Sequence, residues 1–268
     1  MMIVEKRKGA KSTKDIPSGI LSQLNNGDIE TANLVEWLAV DQRLLLKNLL
    51  SQLDREKYLS NAIQAIDNLQ KQTVNTINEA IGSSLFLQSS TNNDTSFFTL
   101  ISKHPSDLVR CWATYFVGRN EQLSVKAALK QIQFFAADNH FGVREICWLS
   151  VRHIIAENLT ESIDILSSWT KHPDANIRRF ASESTRPRGV WCAHIDRLKQ
   201  EPELALPILE PLKSDEARYV QDSVGNWLND ASKSAPEFVM EICKKWELES
   251  RTKATDYIIK KALRTINK

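Results

Sequence analysis

Apolar positions recur at three-and-four spacing from Asp28 to Gly82: Leu34, Trp37 and Leu38, then Leu44, Leu45, Leu49 and Leu53, and then a second run from Tyr58 to Ile81. The spacing predicts two long helices. The next stretch, Ser83 to Ser96, is rich in Ser, Thr and Asn, which predicts a loop and a soft domain boundary. Beyond it the pattern repeats. HPSDLVRCWATYFVG, DNHFGVREICWLSVRHI, HPDANIRRFASESTRPR, SDEARYVQDSVGNWLND and ATDYIIKKALRTI share a turn rich in Pro, Asp or Asn, a β-branched residue, a polar or basic residue, and then a helix. The β-branched anchors are Val109, Val143, Ile177, Val220 and Ile259, separated by 34, 34, 43 and 39 positions. Steps of this size suit HEAT-like two-helix repeats. Each repeat has an apolar stripe too large to leave in water and too small to form a core alone, so the expected fold is all-α, a right-handed superhelix or solenoid of stacked repeats. Residues 1–15 read as a mobile basic tail, 16–90 as helices that cap or extend the array, and 91–268 as the repeat region.

The stripes are single-faced: Val143, Ile146, Cys147, Val151, Ile154 and Ile155 in one repeat, and Tyr219, Val220, Val224, Trp227 and Leu228 in another. Trp112 and Trp227 continue such stripes and are expected in the core. One position after each anchor stand Arg110, Arg144, Arg178, Gln221 and Lys260, so equivalent helices are expected to project a ladder of mostly cationic groups along one side. Four residues further on lie Thr114, Trp148, Ser182 and Gly225. Three of these are small and are expected to admit a bulky partner. Arg144, Trp148 and Arg152 share a helical face off the apolar stripe, which predicts an exposed or groove-lining indole.

Few turn-formers, 8 Gly and 8 Pro in 268 residues, argue against an all-β chain. A net charge of +2 is too small to announce a nucleic-acid partner, so any electrostatic case rests on where the arginines sit. Cys111, Cys147, Cys192 and Cys243 have neither paired nor zinc-ligand spacing and read as apolar residues of a reducing compartment. No GxGxxG, P-loop, GxSxG or HExxH pattern is present. No signal-peptide core or membrane-length apolar run is seen, so the bacterial cytosol is the expected location. His104 and His172 each precede a proline at a repeat turn, where their simplest role lies.

Two segments are more specific: IRRFASESTRPRGVW, Ile177 to Trp191, and YVQDSVGNWLNDASK, Tyr219 to Lys233. They resemble the HEAT-like-repeat DNA alkylation-repair proteins, the AlkC and AlkD glycosylase group, whose pattern YVRRSVANxLNDxAK the second follows. The likeness runs from about Phe97 to Lys268. It implies a basic concave surface gripping duplex DNA, and hydrolysis of the N-glycosidic bond of N3- or N7-alkylated purines without a metal or organic cofactor; a superhelix that wraps DNA has no need to dimerise, so a monomer is expected. An alkylated purine is cationic and leaves readily. A carboxylate and aromatic faces would therefore suffice to stabilise the sugar-like cation and position water. The carboxylate candidates are Glu145, beside the ladder and Trp148, and Asp230. DNA-binding candidates are Arg110, Arg144, Arg152, Arg178, Arg179, Arg186, Arg188, Trp191, Gln221, Asn226 and Lys260. The bland roles are an inter-repeat bridge for Glu145, a cap or bracket for Asp230, and an i+4 pair with Arg179 for Glu183. Two other functions stay open: a non-catalytic binder of damaged or branched DNA, and a HEAT scaffold for protein partners.

Overall fold

Cap and turn residues cut the chain into shorter helices than its apolar periodicity predicts. The computed structural model describes residues 7–267, and all regular structure among them is helical. After α1 (Ser18–Asn26), the region expected to hold two long helices forms α2 (Leu34–Ala39), α3 (Gln42–Gln52), α4 (Leu59–Asp67) and α5 (Val74–Thr91). The breaks have local causes. Asn33 accepts from the Glu36 amide to start α2, and Asp41 accepts from the Arg43 and Leu44 amides to start α3. Asp54 turns the chain at a φ of 56°. Thr73 and Thr76 close a capping box at the start of α5.

The loop expected at Ser83 to Ser96 is instead helical. α5 continues to Thr91, and α6 (Thr95–Ser102) begins four residues later. The Ser89 and Thr91 hydroxyls and the Asn92 amide donate back to the carbonyls of Phe86, Leu87 and Gln88, so the polar residues bond along the helix instead of ending it. Ile81 and Leu85 are fully buried on its inner face. Residues 1–6 lie outside the described residues, but Arg7 pairs with Glu36 at 2.5 Å and Asn33 Nδ2 donates to the Ala10 carbonyl at 2.8 Å.

The helices gather into two compact units. The first comprises residues 7–121 with Asn139–Ser150. In it α1 packs on α3, α4 on α5, and both α5 and α6 on α7 (Asp107–Gly118), and it also holds the first turns of α9 (Phe141–Glu157). The second comprises Gln122–Asp138 and residues 151–267. It holds α8 (Val125–Ala136), the rest of α9, α10 (Leu159–Trp169), α11 (Ala175–Ser184), α12 (Asp196–Gln200), α13 (Leu206–Leu209), α14 (Arg218–Ala231), α15 (Pro236–Glu249) and α16 (Lys253–Ala262). Within it α11 packs on α14 and α14 on α16, the stacking of equivalent helices that HEAT-like repeats impose.

Val109, Val143, Ile177 and Val220 each fall at the third residue of their helix and are buried. The fifth anchor is corrected. α16 begins at Lys253, so its third residue is Thr255, which is fully buried and donates to the Lys213 carbonyl at 3.0 Å. Ile259 is only half-buried and Lys260 is exposed one turn beyond the ladder position. Trp112 and Trp227 are fully buried, as their stripes predict. Trp112 Nε1 donates to Asn78 Oδ1 at 2.9 Å, and Trp227 Nε1 to the Thr185 carbonyl at 3.0 Å.

Candidate functional site

After three of the anchors the next residue has a shared structural duty. Arg110 donates to the carbonyls of His104 and Pro105, Arg178 to those of His172 and Pro173, and Gln221 to those of Asp215 and Glu216. Each side chain thus reaches back to the turn that precedes its own helix. The turns are braced from the other side by histidine: His104 Nδ1 accepts from the Ser106 amide at 3.1 Å, and His172 Nδ1 from the Asp174 amide at 3.0 Å. The arginines also take a carboxylate, Glu30 for Arg110 at 3.0 Å and Asp215 for Arg178 at 2.6 Å.

In the first unit, α9 presents the acid and indole nominated from the sequence. Trp148 Nε1 donates to Glu145 Oε2 at 3.1 Å. The expectation that Trp148 is exposed is corrected: it is buried, and so are Ser150 and Arg152, so the buried part of α9 extends beyond its single predicted stripe. Its ring is therefore a core element that aims the half-buried Glu145.

Sequence reasoning missed a neighbouring cleft of about 680 Å³ lined by Arg7, Glu30, Thr31, Asn139, His140, Phe141 and Arg144, with apolar residues from α1 and the segment after it. At its wall His140 Nε2 donates to the Thr31 carbonyl at 2.8 Å, its Nδ1 accepts from the Gly142 amide at 3.2 Å, and Asp107 Oδ2 lies 3.3 Å from Nδ1. Asp107 also accepts from the Thr31 amide and hydroxyl at 2.9 and 3.0 Å. Burial raises the Asp107 pKa above the ordinary carboxylate range, with His140 and the Thr31 donors opposing. The three residues are far apart in the chain, and no local spacing signals their meeting.

In the second unit Arg179 and Arg186 are drawn together around Glu183 and Asp230. Arg186 donates to Asp230 at 2.6 Å and to Glu183 at 2.8 Å. Arg179 lies 3.6 Å from Glu183, the expected i+4 pair, and stacks over Tyr219 with its guanidinium carbon 4.1 Å from the ring centre. Burial works to raise the Glu183 pKa, but Arg179, Arg186 and the Ser223 hydroxyl outweigh it and hold the carboxyl below its ordinary value. Asp230, with Lys233 as a further partner, is the inter-repeat bracket. Asn226 and Asn229 of the same motif accept from Arg264 at 2.9 and 2.8 Å.

The row of small residues is corrected as well. Ser182 is buried and donates to Ser223 Oγ at 2.8 Å, and a Cβ on Gly225 would lie 2.8 Å from Lys261 Cβ, so these positions admit the next helix of the unit and not a bulky partner. Thr114 is likewise buried, donating to the Cys111 carbonyl.

Arg152 is buried and donates to three carbonyls, Ser184 at 2.8 Å, Arg186 at 2.6 Å and Ala193 at 3.0 Å. It ties down both ends of the segment from Pro187 to His194, where Ile195 N also donates to the Pro187 carbonyl at 3.1 Å. Arg188 is half-buried with an Nε that has no partner, and Trp191 is 84% exposed.

Residues 119–266, more than half of the chain, match the family model for DNA alkylation repair enzymes. An uncharacterized Bacillus subtilis protein, YhaZ, is 38% identical over 145 residues, covering 54% of this chain and 37% of its own length. Among solved structures, the Pseudomonas fluorescens alkylpurine DNA glycosylase AlkC, bound to DNA containing an abasic-site analogue, aligns with a TM-score of 0.68 at 22% identity over 97% of this chain and 66% of its own. AlkD2 from Streptococcus mutans aligns with a TM-score of 0.57 at 21% identity, over 78% of this chain and 97% of its own. The match therefore spans less than two thirds of the Bacillus and Pseudomonas proteins, and at this identity the structural likeness shows the helical fold alone. With the family match covering the Glu145-to-Asp230 stretch whole, the chain belongs to the DNA alkylation repair enzyme family.

Proposed function

We propose that the chain is a monofunctional DNA glycosylase that hydrolyses the N-glycosidic bond of N3- or N7-alkylated purines in duplex DNA. The observation that carries this reading is the Trp148 to Glu145 hydrogen bond, which lies within the stretch covered by the family match. An indole N–H is a neutral donor, so it orients the carboxylate without cancelling its charge. As the bond to the cationic purine breaks, its electron pair leaves with the base, and positive charge grows on the sugar. A fixed carboxylate stabilises that charge and accepts the proton of the water that attacks the anomeric carbon. Trp148 acts through Glu145 as a positioning residue. Arg144 on the same helix and Arg188 of the second unit suit phosphate oxygens, and Lys260 is a further exposed cation; a cytoplasmic, monomeric DNA-repair role fits this chemistry. Similarity to an alkylpurine glycosylase seen with an abasic-site analogue supports the reading, since an abasic site is what such a reaction leaves.

Binding without cutting is the second reading. It is favoured by Asp230, whose carboxylate is compensated by Arg186 and Lys233 and is poorly suited to meet a growing cation. Release of 3-methyladenine and 7-methylguanine from methylated duplex decides between them. Glu145→Gln is expected to lower release by about 100-fold or more while duplex binding stays intact. Failure of the unaltered protein to release either base would sink the glycosylase reading for these substrates and leave the binder.

A further inference from the structure

The segment from Pro187 to His194 is built to present one aromatic ring to the outside. Trp191 has a φ of 65°, a conformation that bulky residues rarely adopt, and it is 84% exposed, so packing of its ring against the described residues offsets little of the strain. Val190 beside it is 51% exposed. Below the tip the segment is tightly held. Arg152 grips the carbonyls at both of its ends, and a Cβ on Gly189 would fall 2.3 Å from Cys192 Sγ and 3.2 Å from the Arg152 guanidinium carbon. A loop with fixed ends, no room in its base and a strained tryptophan at its tip holds that ring ready for a partner.

The surrounding charges identify the partner's chemistry. Arg188, half-buried with its Nε enclosed, precedes the tip by three residues, and Asp196 beyond it is held by Lys199 at 2.5 Å. An exposed aromatic face with a guanidinium close by in the chain suits a nucleobase and its phosphate. In an intact duplex every base is already covered by its neighbours. Wedging a ring between two stacked bases costs a few kcal/mol of unstacking, a cost that is already met where a base is missing or unpaired.

We infer that Trp191 is a stacking wedge that enters the DNA at an abasic or unpaired position and covers the base left without a neighbour. The inference rests on the DNA-binding reading above. It gives the protein a means of recognising the site itself, separate from the chemistry at Glu145.

The test is a duplex carrying an abasic-site analogue flanked by 2-aminopurine, compared with an intact duplex of the same sequence. Trp191→Ala is expected to weaken binding of the abasic duplex by about 5- to 150-fold, the range of base–aromatic stacking, and to abolish the change in 2-aminopurine emission. Binding of the intact duplex is expected to stay within about 2-fold, because phosphate contacts are insensitive to the gap. Trp191→Phe is expected to restore most of both signals. The exposed position makes loss of folding a poor explanation of any effect, and unchanged circular dichroism verifies this. If Trp191→Ala binds the abasic duplex as the unaltered protein does, with the same emission change, the wedge is overturned and the tip is left to a protein partner. If the unaltered protein binds neither duplex, the DNA-binding reading fails and the wedge with it.

Discussion

Arg178 and Gln221 make the same pair of bonds to turn carbonyls, although one is charged and the other is not. The position therefore needs a long donor, and the charge answers to Asp215, which is nearly buried. Arg178→Ala leaves that carboxylate without its partner and is expected to cost about 3–5 kcal/mol in urea unfolding. Arg178→Gln keeps the turn bonds and is expected to cost roughly half as much; equal losses would refute the division of labour. His104 is a second residue with a measurable signature. Burial, aided by Arg110 and opposed by Asp28, lowers its pKa to about 4. Its unfolded value is near 6.5, so the unfolded chain binds more protons between the two. The His104 contribution is thus complete above about pH 6.5 and is lost as pH falls toward about 4. Because the ring is partly exposed, the expected loss is about 1 kcal/mol in all after allowance for solvent screening. His104→Asn retains an acceptor for the Ser106 amide and should remove this part of the pH profile of the melting temperature.

Close helix approach sets the geometry of the elements, and two glycines carry it in the first unit. A Cβ at Gly82 of α5 would lie 2.7 Å from the Trp112 carbonyl oxygen of α7, and one at Gly118 would lie 2.1 Å from the Ser150 carbonyl oxygen of α9. Backbone cannot swing aside as a side chain can. Gly118→Ala is expected to cost about 1–3 kcal/mol or more through overpacking, while Gly19→Ala in α1, with open space around it, should be neutral or stabilising by up to about 1 kcal/mol. Equal melting temperatures for the two variants would show that α7 and α9 can part cheaply. The element boundaries were legible where a cap marked them, as at Asp41 and Thr73. They were obscured at Ser83–Ser96, where the signal of polar residues is the same whether their hydroxyls bond along a helix or turn toward a loop. Trp148 was misjudged for a related reason: a helical wheel finds one apolar stripe, but a helix inside an array is covered on several sides.

For the whole molecule, a net charge of +2 means that the DNA binding proposed above would depend on a few placed cations instead of a general field. Several of the nominated arginines are held by carbonyls or carboxylates of their own unit, and each such bond must be shared or broken to meet a phosphate. A shallow salt dependence is therefore expected, with log K falling by about 0.9 for each phosphate neutralised. Arg188→Ala should reduce that slope by about 0.9 in an anisotropy titration with labelled duplex; an unchanged slope would remove Arg188 from the interface.

By itself the sequence determined the helical class, the repeat and four of its five anchors, the core places of Trp112 and Trp227, the turn role of His104 and His172, and the family. These follow from periodicity and turn chemistry, which act over a few residues and are written locally. Tertiary structure alone decided which arginines brace turns, that Trp148 lies inside and Trp191 outside, and that Thr31, Asp107 and His140 meet. Those outcomes depend on which distant segments pack together, and a side chain's partner across 76 or 109 positions leaves no trace in the spacing of its neighbours.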